Sequence, residues 1–223
     1  MSTLAHCEAA TLPHRFGVKQ IRQSGGFAVR IGHDKVTNPV LKKQVMAASN
    51  VTINRAPVLT LWASVVAERM GYEHATALTL GKCVAGLNAQ SKGRMLGIFG
   101  PPKGPEKGST PKKVGLGEDF WIEICERGVP VKSTDDGIRA VVKDKPIDPA
   151  KVETYLQSKF GADLEAVLLA MTDLATSLQP EDLASRSYTL YERFRPNIPP
   201  GQRGWGAKGE LDLKLIRSLG DDA

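Results

Sequence analysis

The stretch 54–90, NRAPVLTLWASVVAERMGYEHATALTLGKCVAGLNAQ, constrains the fold of this chain more than any other. Val58, Leu61, Trp62, Val65, Val66 and Met70 recur at three- and four-residue spacing, the period of a helix with one buried stripe. Asn54 is placed to cap that helix and Pro57 falls in its first turn, where a missing N–H costs little. Gly71 supplies the left-handed residue that ends it. A second helix, from about Glu73, carries Ala75, Ala77, Gly81, Ala85 and Ala89, small enough to let a neighbour approach closely. The spacing predicts two helices joined at Met70-Gly71-Tyr72.

Downstream the period changes. Residues 119–125 alternate, with Phe120, Ile122 and Ile124 on one face, and read as a strand. Arg127-Gly128 reads as a turn, 129–132 as a second strand, Asp136-Gly137 as a tight turn and 138–142 as a third strand. Such a meander buries too little alone and needs helices over it. Asp148-Pro149 opens a helix carrying Val152, Tyr155, Leu156 and Phe160, ended by Gly161. A helix over 164–178 follows, with Leu164, Val167, Leu168, Met171, Leu174, Ala175 and Leu178 at near-heptad spacing. Pro180 opens a third, presenting Leu183, Leu190, Tyr191 and Phe194 and closed by Pro196. Short connections make these three antiparallel neighbours. The tail reads as a Pro/Gly loop and a short amphipathic helix over 211–219. The expected fold is α+β, mainly α: a helical hairpin and a helical bundle covering a small antiparallel meander.

Four segments follow. Residues 1–35 form a basic N-terminal arm, in which 27–31 (FAVRI) reads equally as a strand or as an arm that orders on contact with a partner. Residues 36–99 hold a short helix at 38–48, begun by Asn38-Pro39, and the hairpin. Residues 100–117, GPPKGPEKGSTPKKVGLG, suit neither helix nor central strand and read as a basic linker or exposed loop. Residues 118–223 hold the meander and its helices, as one domain with 36–99 or apart from it.

The charge is uneven. Residues 1–117 hold sixteen Lys/Arg against five acids, and 118–223 hold fourteen against nineteen, a half of +11 before a half of −5. That asymmetry suits a polyanion partner; mutual attraction of the halves or simple solvation would account for it as well. No apolar run reaches the length of a membrane span, and no secretory segment is recognisable. Cys7, Cys83 and Cys125 are an odd set without a CxxC spacing. We therefore expect a cytoplasmic protein without a membrane partner, an organelle-targeting reading of 1–33 being the alternative.

Within VVAERMGYEHATALTL, Ala67 takes a small position and Gly71 the turn four residues on, with Val66, Met70, Tyr72, Ala77 and Leu80 at the apolar positions. This resembles the helix-turn-helix of DNA-binding proteins. The resemblance covers about twenty residues and implies that the second helix enters the major groove, with His74, Thr76, Thr79 and Lys82 facing bases or phosphates. Lys92 and Arg94, with Lys103, Lys107, Lys112 and Lys113, form the densest basic segment and are expected on the phosphates of a duplex. Leu78, Cys83, Val84 and Leu87 give the second helix a composition that equally suits an αα-hairpin enclosed in a bundle.

Other patterns carry less. Gly204, Gly206 and Gly209 satisfy GxGxxG, but a Pro-rich loop precedes them where a dinucleotide site needs a strand. What remains is a candidate anion loop beside Arg203 and Lys208. His6, His14, His33 and His74 are scattered without metal-ligand spacing, and His74 and Cys83 are not spaced as a nucleophilic dyad. No catalytic set, metal or cofactor is expected. The sequence points to a non-enzymatic nucleic-acid-binding or regulatory protein using its basic half. The alternatives are a ligand binder or enzyme with a pocket between helices and meander, near Trp121, Arg203, Trp205 and Lys208, and an adaptor or homodimer joined through the 164–178 helix.

Overall fold

The computed structural model describes residues 50–95, 119–202 and 206–221. The expected arm 1–35, the helix at 38–48, the linker 100–117, Arg203 and Trp205 lie outside them.

A strand, β1 (Asn50–Ile53), leads into α1 (Arg55–Arg69). Every residue of α1 from Pro57 to Ala67 is buried, so this helix is enclosed on all sides. Trp62 anchors it: the indole N–H donates to the Ser187 carbonyl at 2.8 Å, and the ring meets Phe194 edge-on with centroids 5.3 Å apart. Gly71 (φ +95°) turns the chain, while the Tyr72 N–H donates to the Ala67 carbonyl. Then α2 (His74–Met95) runs back along α1. Gly81 is the point of closest approach, where a Cβ would collide with the Thr60 carbonyl and the Ser64 side chain.

The meander comprises β2 (Asp119–Ile124), β3 (Arg127–Thr134), β4 (Gly137–Val142) and β5 (Lys145–Pro146), antiparallel in that order. Its inner residues Ile122, Ile124, Val129, Val131 and Ala140 are buried in the core shared with the hairpin. The first turn is not Arg127-Gly128, which lies within β3, but Cys125-Glu126, both at positive φ. Lys143-Asp144 repeats that geometry before β5, a strand the pattern did not disclose. A type I′ turn needs positive φ at both central residues, and these pairs adopt it without the glycine that advertises it.

The remaining helices are α3 (Pro149–Phe160), α4 (Leu164–Ser177) after a single 3₁₀ turn, and α5 (Pro180–Phe194). Asp148 caps α3, its carboxylate accepting from the Ala150 N–H at 3.0 Å. The tail departs from expectation. Leu211 lies in β6 (Gly209–Asp212), which pairs antiparallel with β1 at Val51↔Leu211, and α6 (Leu213–Asp221) starts two residues later than its apolar pattern suggested. Asp212 sets that start by accepting from the N–H groups of Lys214 and Leu215.

The result is the α+β, mainly α fold expected, and the residues on both sides of 100–117 share one core. The 164–178 stripe is part of it: Val167, Met171, Leu174 and Leu178 are buried, and Leu168 alone of the stripe's large apolar side chains is exposed, at 39%. The chain itself thus covers most of the stripe on which the adaptor or homodimer surface was expected. Among the described residues, no helix is long and apolar enough to cross a membrane.

Candidate functional site

The second hairpin helix separates the predicted contact residues into different environments. Thr76 and Thr79 point into the sheet. The Thr76 hydroxyl donates to the Ile138 carbonyl at 3.0 Å and accepts from the Arg139 guanidinium at 3.3 Å. The Thr79 hydroxyl donates to the Thr76 carbonyl and accepts from the Ala140 N–H at 3.1 Å. Both side chains are buried. Their expected role at base edges is corrected for that reason: β4 occupies the face that a helix-turn-helix would lay in the groove. His74, at the start of α2, pairs with Glu68 at 2.5 Å. That hydrogen bond, aided by Glu153 and opposed by partial burial, raises its pKa above the ordinary value. Lys82 holds its ammonium 3.6 Å from the centre of the Tyr155 ring, and burial with nearby Lys159 lowers its pKa. This lysine faces α3.

Lys92 and Arg94 occupy the last turn of α2, where cations complement the helix dipole. Antiparallel packing sets this end beside the start of α1, and the end of α5 joins them. Glu192 accepts from Arg195 at 2.6 Å and lies 3.7 Å from the Lys92 ammonium. The Arg55 guanidinium donates to the Pro196 carbonyl at 3.1 Å, and its backbone carbonyl accepts from the Tyr191 hydroxyl. Arg127 faces the same group, 5.4 Å from the centre of the Tyr188 ring, whose hydroxyl donates to Asn88. Burial lowers the Lys92 pKa and Glu192 opposes this, while Arg195 and Arg55 push it further down. Lys92 and Arg195 thus share the Glu192 carboxylate, with Arg55 on the adjoining Pro196 carbonyl and Arg127 on the nearby Tyr188 ring. Arg94 and Arg193 are exposed nearby in sequence.

Lys208 is exposed, two residues before Glu210, whose backbone exchanges two hydrogen bonds with Asn197, next to Pro196. The loop that bears it is therefore tethered at this end. A side chain at Gly209 would strike the Asn197 backbone. The third glycine of the GxGxxG pattern thus answers to a strand contact. Lys103, Lys107, Lys112, Lys113 and Arg203 lie outside the described residues.

Arg55, Arg127, Glu192 and Arg195 were not singled out from sequence. They come from three separated stretches, Glu192 and Arg195 sharing one, and only the packing assembles them.

Nucleophilic and metal chemistry find little here. Burial pushes the Cys83 thiol up to about 11 and the Cys125 thiol up to about 12, so neither is a ready thiolate. Among the described residues no group of three or more His, Cys, Asp or Glu could hold a metal ion. Trp121, expected near a pocket between helices and meander, is 70% exposed on the sheet's outer face. No protein-family model matches this chain, and no curated protein or solved structure matches it either.

Proposed function

We propose that this protein binds nucleic acid, duplex DNA, through phosphate contacts at the end of the hairpin where Arg55, Lys92, Arg94 and Arg195 gather, and not through bases read by α2. The observation that carries this reading is the gathering of cations from separate elements: Lys92 and Arg195 on Glu192, Arg55 on the Pro196 carbonyl and Arg127 on the Tyr188 ring. The segments 1–49 and 96–118 carry net charges of +5 and +2 by sequence. Such a surface neutralises phosphates and releases counterions, so its affinity falls steeply with salt and depends little on sequence.

Fluorescence anisotropy with a labelled random-sequence duplex, titrated from about 50 to 200 mM salt, tests it. The reading expects micromolar or tighter binding at the low end, weakening linearly in log–log form, with unrelated duplexes competing equally. Absence of binding at the lowest salt, or strong preference for one sequence, would overturn it.

A further inference from the structure

A cavity of about 130 Å³ lies between α1, α2, α3 and α4, with no meander residue in its lining. Leu61, Val65, Leu78, Leu156 and Leu164 supply apolar walls, and Leu168 stands half-exposed at its edge. Its polar groups are few. The Ser64 hydroxyl is already engaged, donating to the Thr60 carbonyl at 2.9 Å. Glu68, His74 and Glu153 complete the lining. Glu68 and His74 are held together, and Glu153 bears on the same imidazole. With His74 protonated the rim holds two negative charges and one positive, a net charge of −1 on an otherwise apolar pocket.

We propose that this cavity is a binding site for a small hydrophobic cation, a primary amine carrying one aromatic ring or a short alkyl chain. The size is right for one ring, since an apolar cavity of about 150 Å³ takes benzene. The apolar part fills the space between Leu61, Val65, Leu78 and Leu156. The ammonium lies at the rim, where Glu153 is exposed and, unlike Glu68, is not already paired to His74. Cations nearby on these helices are engaged elsewhere: Lys82 and Lys159 on the Tyr155 ring, Lys151 with Asp148, and Arg69, which donates to the Leu178 carbonyl. A carboxylate ligand would meet a net negative rim, and a neutral one would gain the apolar contact alone.

The site stands apart from the basic end, so its test is independent of nucleic-acid binding. Benzylamine, benzyl alcohol and benzoate are titrated into the full-length protein while the His74 ring and Leu78 methyl resonances are followed. Saturable shifts are expected for benzylamine, about fivefold weaker binding for benzyl alcohol, and none for benzoate. Glu153→Gln, at an exposed position, is expected to weaken benzylamine about three- to fivefold and to leave benzyl alcohol unchanged. Leu78→Phe, which fills the cavity, should abolish both shifts; if it does not fold, Leu168→Trp at the half-exposed edge is the occluding variant. Equal affinity for the amine and the alcohol, tighter binding of benzoate, or no saturable shift with any probe would each overturn the proposal.

Discussion

The Thr79 hydroxyl accepts the backbone N–H of Ala140, sixty-one residues further along the chain, at 3.1 Å. One helical turn earlier, Thr76 holds the Ile138 carbonyl and the Arg139 guanidinium. These bonds fasten the second hairpin helix to β4, and they decide which face of that helix is free. A residue that the sequence offers as a base reader is a clamp between helix and sheet.

Thr79→Val keeps the shape and removes the acceptor, leaving the buried Ala140 N–H unmatched. We expect a loss of about 1–3 kcal/mol by urea denaturation, with duplex affinity unchanged. A variant of unaltered stability and altered sequence preference would contradict the clamp.

Two glycines of α2 should respond in opposite ways. Gly81 faces the Thr60 carbonyl and Ser64 without room for a methyl group, whereas Gly86 has no neighbour within 4 Å of a built Cβ. Gly81→Ala is expected to destabilise by about 1–3 kcal/mol despite alanine's better helix propensity. Gly86→Ala should stabilise by about 0.5–1 kcal/mol. Thermal or urea unfolding of the pair tests the helix crossing directly.

Cys83 and Cys125 should be inert in the native state. With Cys7 replaced by serine, an aromatic disulfide reagent at pH 8 is expected to label neither thiol until denaturant is added, then both. At that pH both raised thiols remain protonated as well as shielded. Rapid native labelling of either would show that the core opens locally.

His74 gains its proton more readily in the folded state because Glu68 accepts from it. Its folded pKa is raised, so the contribution of the pair is present at low pH. That contribution fades as pH climbs through the raised value. Proton NMR of the imidazole should give a midpoint above the ordinary 6.5, and Glu68→Gln should bring it back down. With the side chain 67% exposed, the effect on global stability is small. A wild-type midpoint at or below 6.5 would exclude the pairing in solution.

The fold was largely legible because its helices are long and strongly periodic. The stripe from Val58 to Met70, the Gly71 turn and the Asp148-Pro149 start each state their own local geometry. The two strands that join the ends of the described chain were not legible. Asn50–Ile53 and Gly209–Asp212 are only four residues each, and their pairing partner lies more than 150 residues away. The Cys125-Glu126 and Lys143-Asp144 turns lacked glycine, so nothing local announced positive φ. For the site, Lys92 and Arg94 stood out as a dense basic run. Glu192 and Arg195 were hidden in a helix that read only as amphipathic, and Arg55 looked like the first residue after a cap.

The central claim is that polyanion is held at the Lys92–Arg94 end of α2 and not along the face a helix-turn-helix would use. The most direct measurement compares the salt dependence of duplex binding in three proteins: wild type, Lys92→Ala/Arg94→Ala and His74→Ala/Lys82→Ala. The account predicts that the first double variant lowers the log–log slope by about 1–2, one lost phosphate contact per cation, while the second matches wild type. A slope reduced by the second variant and untouched by the first would contradict it.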